Sequence, residues 1–289
     1  MKKTFVRILL TFAILVPLLA NCSDDDKPMN GGEPPDTIRY LVPLIVRSIP
    51  HNNFLTDEAS TQGLLYHDGI LYESNGGAES IAKTNIRTID PVDGTILKRV
   101  FLYASFPLPD FNPCAPSRCF GEGIALRNGR IVQLVWINQR TLEWSVPGLD
   151  YQGIEFTYRG QGWGLANTDS CFIMSNGSDT LYFRDDTFAI TNRVPVTYHQ
   201  EPLDSLNELE HIDGLVYANV YGRASIYGID SATGVVTTVV NCSSLVDIVN
   251  LPLHERPLNG IAYDDSTGYF YVTGKEWPLI FEVLFVEEE

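Results

Sequence analysis

The chain of 289 residues predicts an all-β fold, a five-bladed β-propeller, and three observations carry that prediction. One short phrase recurs five times, opening at Gln62, Glu122, Trp163, Asn207 and Asn259. Each copy runs into a tight-turn dipeptide and then a second strand-like run, which is a hairpin signature. Successive copies start 60, 41, 44 and 52 residues apart. A unit of roughly 40–50 residues built from short strands is the mark of a propeller blade.

The copies read in order as follows. Gln62-Gly63-Leu64 runs to Asp68-Gly69, Glu122-Gly123-Ile124 to Asn128-Gly129, and Trp163-Gly164-Leu165 to Asp169-Ser170. Asn207-Glu208-Leu209 runs to Asp213-Gly214, and Asn259-Gly260-Ile261 to Asp264-Asp265 and a longer turn ending at Gly268. The runs after the turns are Ile70–Tyr72, Ile131–Leu134, Cys171–Met174, Leu215–Ala218 and Tyr269–Val272. No stretch beyond the N-terminus keeps a 3.6-residue apolar period, so little helix is expected. Tyr 14, Phe 14, Gly 23 and Pro 17 suit many short strands and turns. The ends of the domain are expected to meet in one blade, because a ring of blades otherwise leaves free sheet edges.

The N-terminus predicts a targeting segment. Lys2, Lys3 and Arg7 precede an apolar run from Ile8 to Ala20, the length of a signal h-region. Leu19-Ala20-Asn21-Cys22 is similar to a bacterial lipobox, although Asn21 stands where Gly, Ala or Ser is usual. The expected organisation is a signal peptide over 1–21, a lipidated Cys22 with a flexible acidic tether over 22–37, and the propeller over 38–286. Ser23-Asp24-Asp25-Asp26 resembles acidic surface-export signals, so a bacterial envelope lipoprotein, exposed at the outer membrane, is the expectation.

Loss of Lys2, Lys3 and Arg7 with the signal segment takes the formal charge from −16 to −19. So acidic a chain is a poor partner for nucleic acid, and its contact with membrane is expected through the lipid alone. In an oxidising envelope Cys114 and Cys119 are spaced to close a local disulfide. Cys171 and Cys242 fit either buried thiols or a second bridge. No metal site is expected: two Cys lie close together without a nearby His. The five His, at 51, 67, 199, 211 and 254, lack metal-ligand spacing and read as surface or turn residues. There is no Gly-x-Ser-x-Gly elbow, phosphate loop or dinucleotide fingerprint. Candidate catalysts therefore reduce to carboxylates and Lys275.

Innermost strands of successive blades converge on the axis, so the five opening side chains should ring one mouth of the channel. They either line a ligand site or plug the channel. Glu122 stands out among them. It sits between Phe120-Gly121 and Gly123, where small neighbours let a ligand approach. A carboxyl beside aromatic walls should have a raised pKa, which suits acid–base work.

Several stretches together are similar to the plant-type and bacterial glutaminyl-peptide cyclotransferases. They include Thr61–Leu64, Leu71–Ser74, Phe120–Ile124, Gln133–Trp136, Gly162–Leu165 and Met174–Ser178. Leu206–Glu210, Leu258–Tyr263 and Thr273–Pro278 continue the resemblance, which spans about residues 38 to 285. It implies a five-bladed propeller that converts N-terminal glutamine of peptides and proteins to pyroglutamate, releasing ammonia, without zinc or another cofactor. It places the catalytic acid–base group on Glu122, pocket tryptophans on Trp136 and Trp163, and polar pocket groups on Gln62, Asn207 and Lys275. Phe120, Tyr221 and Asn259 complete the expected substrate site. Two positions depart from the family pattern: Ser60 stands for a Phe, and Tyr221 for a third Trp. A non-catalytic propeller binding peptide ends or sugars in the same pocket is the alternative reading. A scaffold with a plugged channel is a third.

Overall fold

The computed structural model describes residues 37–51, 60–77, 84–102, 120–136, 138–153 and 156–288. The lipobox at Cys22, the acidic tether and the Cys114–Cys119 pair lie outside the described residues.

Strand β1 (Arg39–Pro50) precedes the first phrase but belongs to the last blade. Blade one is β2 (Ser60–His67), β3 (Ile70–Gly76), β4 (Asn85–Ile89) and β5 (Ile96–Phe101). Blade two is β6 (Gly121–Arg127), β7 (Arg130–Val135) and β8 (Arg140–Ser145), with isolated bridges from Trp144 to Tyr151 and Arg140 to Thr157 at its outer edge. Blade three is β9 (Leu165–Asn167), β10 (Phe172–Met174), β11 (Thr180–Arg184) and β12 (Ile190–Pro195). A two-stranded ribbon, β13 (Thr197–Tyr198) with β14 (Glu201–Pro202), leads to blade four: β15 (Leu206–Ile212), β16 (Leu215–Val220), β17 (Ser225–Asp230) and β18 (Val236–Asn241). Helix α1 (Ser243–Val249) connects to blade five, which is β19 (Leu258–Asp264), β20 (Tyr269–Gly274), β21 (Leu279–Glu287) and then β1.

The ring closes as the edge argument requires. β1 runs antiparallel to β21, from Leu41 opposite Glu287 to Pro50 opposite Leu279. It also pairs in parallel with β18 at Arg39–Thr238, which covers the outer edge of blade four. The turn dipeptides behave as their chemistry demands. Asp68-Gly69, Asn128-Gly129 and Asp213-Gly214 all take positive φ, the geometry whose twist matches the flanking strands.

Five apolar clusters fill the five gaps between blades. Tyr72 and Ile86 of blade one meet Ile131 and Trp144 of blade two. Val132 and Leu134 of blade two meet Leu165 and Phe172 of blade three. The remaining gaps hold Ile173 with Val216, Ile226 with Phe281, and Tyr271 with Leu71. Cys171 and Cys242 are buried free thiols within two of these clusters, so the second bridge does not form.

A polar bond crosses each blade junction. Gln133 donates to Ser74 Oγ at 2.7 Å, Gly123 N to Trp163 O at 2.7 Å, and Ser175 Oγ to Asn207 O at 2.6 Å. Gly260 N donates to Asn219 Oδ1 at 2.8 Å and Asn259 Nδ2 to Thr61 O at 2.9 Å. Buried polar groups cost free energy unless paired, so these bonds hold the blades in one register.

One sequence expectation is corrected here. His51 is not a surface or turn residue. It is buried at the end of β1, where Nε2 lies 2.9 Å from Glu73 Oε1 and Nδ1 lies 3.0 Å from Trp277 O. Thr61 Oγ1 donates to the same Glu73 oxygen at 2.6 Å, and Arg87 Nε donates to the other. Blade one is thereby tied to the closing strand of blade five. A lone His in a polar stretch gave no sign of this, because its partners come from distant strands.

Candidate active site

The phrase recurs because each innermost strand must deform at one place. The register of β2 shifts between Thr61 and Gly63, freeing Gln62. β6 shifts between Gly121 and Ile124, β15 between Leu206 and Leu209, and β19 between Leu258 and Ile261. A bulge leaves residues outside the ladder and re-aims their side chains. The residues so released are Gln62, Glu122, Asn207 and Asn259. In blade three Trp163 lies just before β9 and pairs through its N–H to Ser175 O at 3.1 Å.

The second residue of the phrase sets how closely the blades approach. A Cβ at Gly123 would lie 2.4 Å from Leu165 N, and one at Gly164 would lie 2.0 Å from Asn207 O. Both positions therefore require glycine. Blade four carries Glu208 instead, and its carboxylate spans the axis. Oε1 accepts from Leu64 N at 3.2 Å and Oε2 from Ile261 N at 2.8 Å. Burial holds its pKa well above the carboxylate range, and neighbouring Glu210 adds to the rise. Through these two bonds Glu208 ties blade four to the innermost strands of blades one and five.

A chain of aromatic contacts links blades two, three, four and five. The rings of Phe120 and Trp136 lie 5.6 Å apart. The Trp136 and Trp163 indoles both donate to one oxygen, Gln161 Oε1, at 3.0 and 2.9 Å. Trp163 meets Tyr221 edge-on at 6.3 Å, and Lys275 Nζ lies 5.5 Å from the centre of the Tyr221 ring. Gly274 lets the buried Trp277 ring pack against the backbone of the turn that carries Lys275, and Lys275 N donates to Pro257 O at 2.9 Å.

Glu122 is buried at 6% exposure. Burial pushes its carboxyl up to about 8, while the charge of Lys275 pulls the other way. Lys275 responds in mirror image: burial lowers its ammonium and Glu122 raises it. Tyr158 lies nearby, its hydroxyl donating to Val135 O at 2.7 Å; burial and then the Glu122 charge push the phenol up. Burial thus deprives the carboxyl's charge of solvent, and the Lys275 charge offsets this only in part.

The structure brings Phe120, Glu122, Trp136, Trp163, Tyr221 and Lys275 into one linked set through the ring contacts and charge coupling above. Gln62, Asn207 and Asn259 are buried at the same level of their blades. Gln62 Nε2 donates to Ser60 Oγ at 3.2 Å, so the serine that stands for Phe holds a polar group of the ring. Gln62 Oε1 and Asn259 Oδ1 are buried acceptors with no donor. Sequence reasoning missed Gln161 and Tyr158. Gln161 lies outside the repeated phrase, and only the flanking Gly160 and Gly162 marked its loop as special. Among the described residues no group of three His, Cys, Asp or Glu side chains is placed to hold a metal.

Known proteins are similar to this chain in architecture and in sequence. The family model for glutamine cyclotransferase matches residues 13–285. The crystal structure of Myxococcus xanthus glutaminyl cyclase superposes with a TM-score of 0.74 at 30% identity, covering 87% of this chain and all of that one. A glutaminyl-peptide cyclotransferase from Arabidopsis thaliana is 29% identical over 250 residues, which is 83% of this chain and 70% of that protein. The chain belongs to the glutamine cyclotransferase family.

Proposed function

We propose that this protein cyclises the N-terminal glutamine of peptides to pyroglutamate, with Glu122 as the general acid–base group. One observation carries the reading: a buried carboxyl near pKa 8, walled by aromatic rings and faced by a lysine. The α-amino group of a peptide titrates at about 7.7–8.0. Burial raises the Glu122 carboxyl towards that range, which favours proton exchange between the two groups.

The chemistry runs in two transfers. The glutaminyl side chain folds back between Trp136 and Trp163, which brings the α-amine to its own γ-carbonyl carbon. As the C–N bond forms, Glu122 takes a proton from the attacking nitrogen. The γ-oxygen becomes an oxyanion, and donors stabilise it as charge develops. Lys275 suits this role, and Asn207 is the second candidate donor. Gln62 suits it less, because its amide already donates to Ser60 and its free atom is an acceptor. Gln62 and Asn259 instead offer oxygens to the N–H bonds of the neutral α-amine, the form whose lone pair attacks. Collapse of the intermediate breaks the bond to the side-chain nitrogen, Glu122 returns its proton, and ammonia leaves. No cofactor or metal enters this scheme.

Placement is part of the proposal. Residues 38–286 form the catalytic domain, behind a signal segment and a tether lipidated at Cys22. Palmitate labelling of the wild type, lost in Cys22→Ala, tests the anchor. The activity is tested by ammonia release from Gln-Ala, with Asn-Ala as control. Release from Gln-Ala with pyroglutamyl-Ala as product supports the reading. Capture of peptide without ammonia favours the binding propeller instead.

A further inference from the structure

We propose that Gln161 is a positioning residue that fixes the angle between the two tryptophans of the substrate cleft. This inference rests on the cyclase reading of the same site. Gln161 lies in the loop joining blades two and three, between Gly160 at φ 88 and Gly162. Its Oε1 accepts from Trp136 Nε1 at 3.0 Å and from Trp163 Nε1 at 2.9 Å. An indole N–H only donates, so the atom shared between the two must be the amide oxygen, and both its lone pairs are used.

The two indoles come from different blades. Trp136 follows β7, and Trp163 precedes β9. Each has a ring neighbour on its far side, Phe120 at 5.6 Å and Tyr221 at 6.3 Å. Those contacts set distance but leave an aromatic ring free to tilt. A shared acceptor removes that freedom, because tilting either ring breaks its bond. Blade-to-blade spacing in the cleft is thereby converted into a fixed wall for a flat amide side chain. The amide nitrogen of Gln161 takes no part in this contact, and the residue is exposed.

Chemistry separates the clamp from mere bulk. Gln161→Glu keeps an acceptor at the same reach, whereas Gln161→Leu keeps the size and removes it. The protein has four tryptophans, and the other two serve as internal controls. Trp144 Nε1 donates to Gln133 Oε1 and Trp277 Nε1 to Arg256 O, both at 3.0 Å and far from the loop in their bonding.

The test reads indole N–H resonances of the 15N-labelled full chain, together with kinetics on Gln-Ala. In Gln161→Leu the Trp136 and Trp163 signals should move upfield and exchange faster, while Trp144 and Trp277 stay put. KM should rise about tenfold, the worth of one net hydrogen bond or two at about 1.4 kcal/mol per decade, with kcat less affected. Gln161→Glu should restore both. Unmoved Trp136 and Trp163 signals in the leucine variant overturn the clamp. Moved signals with unchanged KM overturn its positioning role. If the wild type releases no ammonia, the cyclase reading fails by itself. Gln-Ala binding, read by tryptophan fluorescence, then decides the positioning role: about tenfold weaker binding in Gln161→Leu supports it, and equal binding overturns it.

Discussion

Glu73 on β3 and Glu122 on β6 are both buried carboxyls of neighbouring blades, yet their surroundings push them in opposite directions. Burial raises both. At Glu73 the charge of Arg87, then His51 and the Thr61 hydroxyl, outweigh it and hold the carboxyl well below its usual range. At Glu122 burial wins, and Lys275 recovers only part of the loss, leaving the group at about 8. Glu73 has every oxygen committed and acts as a staple between blades one and five. Among the described residues Glu122 has no such shell, which leaves its proton transferable. Perturbed carboxyls mark function when the perturbation leaves chemistry to be done.

The comparison predicts opposite costs for the same substitution. Glu122→Gln should reduce ammonia release by about 10²–10⁴-fold, the range for a general acid–base group, with the fold intact. Stability should move the other way. A carboxyl whose folded pKa is raised stabilises fully below its unfolded value near 4.3, and that contribution fades as pH climbs towards 8. The Gln variant should therefore gain Tm relative to the wild type at pH 8, and less at pH 5. Near-normal turnover would move the role to another carboxyl. Glu210, also pushed up to about 8 by burial, would be next, since Glu208 is committed to two backbone N–H groups.

Glu73→Gln should do the reverse, sparing the chemistry and damaging the fold. It strips the carboxylate from a buried guanidinium, a loss of about 3–5 kcal/mol. Thermal unfolding should drop by about 10 °C. For a depressed carboxyl the stabilisation is present above pH 4.3 and fades as pH falls below it, so the deficit should shrink in acid. A deficit that grows in acid would contradict the assignment.

Much of this contrast was legible in the sequence on one side and hidden on the other. The Glu122 ring could be read because propeller symmetry repeats the bulge at the start of every phrase. The turn dipeptides and blade count followed from the same repeat. The staple could not be read, since His51, Thr61, Glu73 and Arg87 occupy no common phrase and meet only when β1 closes the ring. Gln161 was hidden for a similar reason: it belongs to a loop outside the repeat, and its partners lie on two different blades.

Lys275→Met sharpens the comparison further. Removing its charge takes away the one pull that lowers Glu122, so the carboxyl should rise further. The pH profile of kcat/KM should move to higher pH, and kcat at pH 7 should fall about 10²-fold through loss of an oxyanion donor. A profile displaced to lower pH would show that Lys275 does not act on Glu122.

The smallest effect concerns the wall. Ser60→Phe with Tyr221→Trp should raise kcat/KM on Gln-initiated dipeptides about tenfold, within the roughly 1.5–3 kcal/mol of one buried aromatic contact. The gain should be tempered because Ser60 holds Gln62 through its hydroxyl. An unchanged panel would show that these positions lie outside the substrate site.

The contrast between the two carboxyls is open to direct titration. Glutamate labelled with 13C at Cδ would be followed from pH 3 to 9 in the wild type, Glu122→Gln and Glu73→Gln. The resonance missing from Glu122→Gln should titrate with a midpoint near 8, and the one missing from Glu73→Gln should stay ionised through the acid range. A Glu122 resonance titrating at an ordinary value of about 4.3 would contradict the account.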